Sequence, residues 1–301
     1  MPTTLSPLRY PGGKTKLYHK VLSILEQNGL QDVVYVEPFC GGCGLAIQLL
    51  LRRDVSSIVI NDVDPAIFAF WDCVVNKTDE LCSRLAECCI TVEERDKQVK
   101  ILQHLDSHST IDIGFAALFL NRTNISGILS AGPIGGRDQT GKDKLDARFK
   151  TEAIMKKIAN IAAQKDRISL YNLDAIDFID RIIHEYEASK VFINFDPPYV
   201  KKGQELYVNH FSMEGHKRLR DKICECDHYW IVTYDYNASV LDLYASFHYE
   251  RIQLNHSAGS MKKGEEVIIY SSNLQKHVLQ PDSDTYTVDR LVCGPRFDPP
   301  L

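Results

Sequence analysis

Val33-Val34-Tyr35-Val36-Glu37-Pro38-Phe39-Cys40-Gly41-Gly42-Cys43-Gly44, continued by residues 45–52 and then by Ser57-Ile58-Val59-Ile60-Asn61-Asp62, is the stretch that decides the fold. Val33–Val36 is a short apolar run, the pattern of a buried strand. Glycines at 41, 42 and 44 then let the chain turn tightly and let a ligand approach the backbone. Residues 45–52 read as a helix, and residues 57–60 as a second strand that closes on Asn61-Asp62. Strand, glycine loop, helix, strand and acid in this order open a doubly wound sheet. Asp62 stands about 20 residues beyond the loop, where an acid accepts from ribose hydroxyls. The spacing G-G-x-G is not the G-x-G-x-x-G of a dinucleotide site.

Working outward, residues 14–28 read as an amphipathic helix with Gly29 as C-cap. Strand signals disappear between about residues 66 and 166, where helical segments at 79–89, 92–105 and 111–120 precede a long loop, 121–146. Loops of that length inside a compact chain are usually functional. Alternation then resumes with a strand at 167–171, a helix at 175–186 and a strand at 191–195. A helix at 213–224 follows, with Ser212 as N-cap, then strands at 229–234, 247–254 and 265–272. The last two are expected to pair antiparallel around a loop at 255–264. The expected fold class is α/β: a Rossmann-like doubly wound sheet with an inserted, mainly helical block. Its expected division is a core of residues 1–65 and 166–273, an insert of 66–165 and a tail of 274–301.

The 301 residues are enough for one large α/β unit carrying an insert. A net charge of −5 excludes a molecule that binds nucleic acid through its overall charge. Basic residues are instead grouped: Arg9, Lys14, Lys16 and Lys20; Lys142, Lys144, Arg148 and Lys150; Lys201-Lys202; and Lys262-Lys263. Their placement beside the expected site favours a nucleic-acid partner over solvated surface runs. Nine cysteines, several in helical stretches, fit a reducing compartment, and no signal peptide or membrane-length apolar run is present, so a cytoplasmic location and no membrane partner are expected. Cys40/Cys43 and Cys224/Cys226 are better explained by a glycine loop and a helix than by a metal site, and no metal is expected.

The run at 191–195 ends at Asp196-Pro197-Pro198-Tyr199. Two prolines cannot continue a sheet ladder, so they set a stiff turn at the strand's carboxyl end, outside which ligands of open α/β sheets bind. A carboxylate, a proline carbonyl and an aromatic ring held there suit a planar base with an exocyclic amino group. Asp298-Pro299-Pro300-Leu301 has no preceding strand and no tyrosine and reads as a frayed tail. Asp174 is read as the N-cap of the next helix and as an acceptor for a cofactor adenine. Pro11-Gly12-Gly13-Lys14-Thr15 fails the phosphate-loop pattern because Leu8 stands where glycine is required.

Taken together, these motifs resemble the Dam-like DNA adenine methyltransferases over nearly the whole chain to about residue 273. Leu8-Arg9-Tyr10-Pro11-Gly12-Gly13-Lys14 is similar to that family's L-K-W-x-G-G-K, Glu37-Pro38-Phe39-x-Gly41 to its E-P-F-x-G, Asn61-Asp62 to its second acidic motif, and Asp196–Tyr199 to its catalytic turn. Asn121-Arg122 with Gly127 is similar to the entry of its target-recognition loop. The resemblance implies S-adenosylmethionine as cofactor, held by Tyr10, Gly12, Lys14, Glu37, Phe39, Gly41, Asp62 and Asp196, with Asp174 near its adenine. It implies a catalytic set of Asp196, Pro197, Pro198 and Tyr199, methylating the amino nitrogen of an adenine flipped from double-stranded DNA. In this scheme Asp196 and the Pro197 carbonyl accept the amino hydrogens while Tyr199 stacks on the base.

Arg122, Asn124 and Ser126 are expected near bases, and Ile125 as an apolar wedge in the gap the base leaves. Lys142, Lys144, Arg148, Lys262 and Lys263 are expected on phosphates. Three positions depart from the family pattern. Cys43 replaces a loop glycine, and Tyr10 replaces a tryptophan. Ile125 and Ser130 occupy places where GATC readers carry an aromatic residue and a guanine-reading arginine, so GATC is not assigned. A monomer is implied, and a cognate restriction nuclease is a conceivable partner. Methylation of cytosine or of RNA, and a DNA-binding regulator without catalysis, stay open as rival readings.

Overall fold

The computed structural model describes residues 4–10, 12–199, 212–256 and 262–274. A seven-stranded sheet runs through it in the order β3-β2-β1-β4-β5-β7-β6. Its strands are β1 (Val34–Glu37), β2 (Ser57–Asn61), β3 (Ile168–Tyr171), β4 (Val191–Phe195), β5 (Tyr229–Asp235), β6 (His248–His256) and β7 (Lys262–Tyr270). Strands β3, β2, β1, β4 and β5 are parallel, and β7 turns antiparallel against β5 and pairs with β6. Tyr35 lies in register with Ile58 on one side and Phe192 on the other. The ends of β1, β2 and β4 therefore bring Glu37, Asp62 and Asp196 to one edge, at the switch between β1 and β4 where such sheets bind ligands.

Period-two alternation along each strand feeds two apolar cores. Tyr35, Ile58, Phe192, Ile231 and Ile268 face one, and Val36, Val59, Ile193, Val232 and Val267 the other. On the first face α1 (Tyr18–Gln27) and α2 (Gly44–Arg52) are joined by the helical block: α3 (Pro65–Asn76), α4 (Thr78–Glu87), α5 (Val92–Gln103), α6 (Thr110–Thr123) and α7 (Thr151–Ala162). Phe70, Trp71, Phe119 and Ile158 of that block lie in the same core as the strands. The second face is covered by α8 (Ala175–Arg181), α9 (Met213–Cys224) and α10 (Ala238–Leu243).

The element types follow the sequence reading, with local differences. Residues 14–17 form a 3-10 turn ahead of α1, which stacks Lys14 and Leu17 on one buried side. Helix α6 runs to Thr123, three residues into the expected loop, because Asn121, Arg122 and Thr123 are buried and bonded rather than solvated. The expected loop at 255–264 shortens, since β6 runs to His256 and β7 starts at Lys262. Helix 175–186 stops at Arg181 and gives way to a 3-10 turn. Ser212 caps α9, accepting from the Gly215 N–H, as expected. Among the described residues no helix is long and apolar enough to cross a membrane. The expected tail of 274–301 lies, apart from Leu274, outside the described residues, as do Lys201 and Lys202.

Candidate active site

A cavity opens at the carboxyl edge between β1, β2 and β4. Its lining includes Tyr10, Gly12, Lys14, Glu37, Phe39, Gly41, Asp62, Asn194, Asp196 and Pro198. Eight of the nine positions named for the cofactor from sequence thus share one wall. The ninth, Asp174, does not line it: exposed at the start of α8, it spends Oδ1 on the Ile176 N–H at 2.9 Å, the capping role alone. The glycine loop is pinned from below, where the buried Trp71 indole donates to the Gly41 carbonyl at 2.9 Å. Asp62 takes the Gly41 N–H at 2.8 Å and the Asp64 N–H at 3.0 Å. A Cβ on Gly41 or Gly42 would meet the Tyr10 ring at 2.6 or 2.4 Å. The loop glycines therefore let an aromatic residue lie across the backbone, a reason that spacing alone did not supply.

Asp196 meets Lys14 at the cavity rim. Lys14 Nζ lies 2.9 Å from Asp196 Oδ1, donates to the Tyr199 hydroxyl and the Gly12 carbonyl, and lies 3.7 Å from Glu266. Its side chain is only 4% exposed. Thr233 Oγ1 donates to the same Oδ1 at 2.8 Å. With both partners on Oδ1, Oδ2 is the oxygen placed to take another hydrogen. Burial raises the Asp196 carboxyl above its ordinary range, Lys14 pulls it back down, and Glu266 pushes it up. Sequence reading gave Lys14 to the cofactor alone; the structure ties it to the catalytic turn as well. Pro197 and Tyr199 are buried and do not line the cavity; Tyr199 is bound through its hydroxyl to Lys14 and packs against Tyr234. Thr233, Glu266 and Trp71 were missed, since each acts across a long sequence separation that no local motif marks.

Burial pushes Glu37 up to about 8 and Asp62 up to about 6. The sign follows directly. A folded chain that holds the Glu37 proton while the unfolded chain has lost it becomes less stable as pH rises, from the ordinary 4.5 until the folded value is passed. One such proton gives a slope of about 1.4 kcal/mol per pH unit. We expect the unfolding temperature of the ligand-free protein to fall between pH 5 and 8, and Glu37→Gln to flatten that fall. An equal slope in both proteins, measured by calorimetry across that range, contradicts the assignment.

The target side needs two corrections. Arg122 and Asn124 are not presented to a base. Arg122 is buried at the end of α6 and donates to the Pro7 carbonyl, and burial lowers it to about 10. Asn124 is fully buried, accepts from Arg95 Nε at 2.7 Å and donates to the Ile128 and Leu129 carbonyls. Both brace the loop from within, because a buried polar side chain must find partners. Arg95 completes the brace by donating to the Ala131 carbonyl at 2.7 Å. Ile125 is 55% exposed beside Ser126, whose φ is 57°. Lys142, Lys144 and Arg148 are exposed. Arg9 is held down by burial and by the nearby Arg148. The side chains of Lys262 and Lys263 lie outside the described residues.

The segment before Tyr10 is held by the helical block. Lys157 donates to the Thr4 and Ser6 carbonyls at 2.6 and 3.1 Å, and Arg122 to Pro7. The Asn121 carboxamide takes the Arg9 N–H at 2.8 Å and donates to the Arg9 and Gly127 carbonyls at 2.7 and 2.8 Å. Among the described residues no group of three or more His, Cys, Asp or Glu side chains is arranged to hold a metal ion.

Comparison with known proteins follows from this geometry. The family described as D12 class N6 adenine-specific DNA methyltransferase matches residues 10–257. The type II methyltransferase M.MjaIII of Methanocaldococcus jannaschii is 24% identical over 208 residues, covering 64% of this chain and 68% of that protein. Among solved structures, the rRNA methyltransferase aviRa of Streptomyces viridochromogenes aligns with a TM-score of 0.41 and 13% identity over 88% of each chain.

Proposed function

The chain belongs to the D12 class N6 adenine-specific DNA methyltransferase family, and from that premise we propose how its residues divide the work of methylating an adenine amino group in double-stranded DNA. The observation that carries the reading is Asp196. Its Oδ1 is held by Lys14 and Thr233, and its Oδ2 faces the cavity side, ready to accept a hydrogen from the amino nitrogen. Together with the Pro197 carbonyl it draws the nitrogen lone pair out of the ring and aims it, so alignment supplies much of the rate. Pro198 holds the turn rigid, and Tyr199, with its hydroxyl fixed by Lys14, offers its ring edge to the base.

S-adenosylmethionine, which the family implies, supplies the methyl group when bound. The donor set fits it: Glu37, Asp62, Asp64 and Asp196 line the cavity against one lysine, a match for a molecule bearing a sulfonium, an ammonium and ribose hydroxyls. The buried Asn194 Oδ1 in the same wall has no hydrogen-bond partner among the described residues. Tyr10, Gly12, Phe39 and Gly41 would form the walls of that site, Glu37 and Asp62 its acceptors. The adenine contact of Asp174 rests on the resemblance alone.

We assign residues 1–65 and 166–273 to cofactor binding and chemistry and 66–165 to target recognition. Ile125, exposed on a braced loop, is the wedge that fills the gap left by the flipped base, and Ser126 lies next to it. Arg9, Lys142, Lys144 and Arg148 meet phosphates, which position without specifying. Ile125 and Ser130 support a target other than GATC. The type II name of the Methanocaldococcus relative supports pairing with a cognate nuclease, with this chain acting as a monomer in the cytoplasm. The test is transfer of labelled methyl from S-adenosylmethionine to unmethylated genomic DNA, followed by nucleoside analysis and sequencing. N6-methyladenine at one short motif is expected; label confined to cytosine or to RNA overturns the reading.

A further inference from the structure

Asn194 lies on β4 two residues before Asp196, so the two side chains leave the same face of the strand. It is 1% exposed, it lines the cavity, and its Oδ1 is without a hydrogen-bond partner among the described residues. Its amide neighbours the Tyr35 hydroxyl, which in turn donates to Glu37 Oε1 at 3.1 Å. Leaving a buried acceptor unmade costs the folded chain its desolvation without return. An acceptor kept in that condition on the wall of a ligand cavity, beside a buried carboxyl, has a use once a donor arrives.

We propose that Asn194 is a cofactor-binding residue whose Oδ1 accepts a hydrogen from the ammonium group of S-adenosylmethionine, with Glu37 as the neighbouring second acceptor. The ammonium suits this place because it brings several hydrogens and a positive charge, and the wall offers a carbonyl oxygen and a carboxyl side by side. Ribose hydroxyls have their own acceptor in Asp62, on the next strand. The proposal rests on the methyltransferase reading, and its test is binding rather than turnover.

The experiment is calorimetry with S-adenosylhomocysteine, which keeps the ammonium and cannot react, and with methylthioadenosine, which lacks the amino-acid portion. Asn194→Leu, nearly equal in volume, removes the acceptor. Its affinity for S-adenosylhomocysteine should fall at least tenfold, about 1.4 kcal/mol, with methylthioadenosine binding within twofold of wild type. The ligand-free variant should unfold at the same or a higher temperature than wild type, the opposite of what a packing role gives. Asn194→Asp keeps an acceptor and should bind S-adenosylhomocysteine within threefold, which guards against a misfolded leucine variant. Equal losses on both ligands, or no loss on either, overturn the proposal. A wild-type protein that binds neither ligand and transfers no methyl group overturns the methyltransferase reading instead.

Discussion

Asp196→Ala lowers the rate of methyl transfer by about a thousandfold, the upper end of what removal of one preorganised polar contact costs a reaction, and leaves duplex DNA binding within about threefold of wild type. The effect is large because the group acts on the reacting nitrogen itself and nothing nearby can replace it. Glu266, the other carboxylate near Lys14, is 1% exposed and lies on β7, across the lysine from the turn. Binding survives because the proposed phosphate contacts, Lys142, Lys144 and Arg148, sit on a loop that Asp196 does not touch. Single-turnover transfer and filter binding on the same preparation check both halves. A variant that retains a tenth of the wild-type rate removes Asp196 from the chemistry.

Lys14→Met carries the second large effect, and its signature is in pH. The lysine is the positive group that holds down an Asp196 carboxyl already raised by burial. Without it, Asp196 and Glu266 face each other uncompensated, and one takes up a proton. Asp196 accepts best as a carboxylate, so activity is lost as pH falls through its pKa. The acidic limb of the rate profile at saturating cofactor should move up by at least about one pH unit, one unit being about 1.4 kcal/mol of lost differential stabilisation. The rate at neutral pH should drop by about a hundredfold and recover in part toward pH 9. A limb that stays in place, with only the cofactor KM raised, would mean that the lysine serves the cofactor and not the turn.

The sheet was legible in the sequence because its central strands are buried on both faces and write themselves as apolar runs, as at Val191–Phe195. The cofactor wall was legible because glycines and acids fall at strand ends, a local pattern. Other parts were not. Thr233 and Glu266 reach the site through pairing of β5 and β7, which depends on register across the sheet. Trp71 looks like any helix core residue until its indole finds Gly41. Arg122 and Asn124 were placed near bases because polar side chains in a basic stretch read as exposed. The chain instead spends both on backbone carbonyls, and only burial, absent from a sequence, tells these uses apart.

The strap of residues 4–9 links two halves that the chain order keeps apart. Tyr10 and Lys14 serve the cofactor side, yet the backbone leading to them hangs on Asn121, Arg122 and Lys157 of the helical block. A recognition block transplanted from a relative to change the target would arrive without the carbonyls it was shaped to hold. It would loosen the aromatic lid over the glycine loop at the same time. Specificity in this protein is therefore not a cassette: a working chimaera has to carry its amino-terminal ten residues along with the helices that read the DNA.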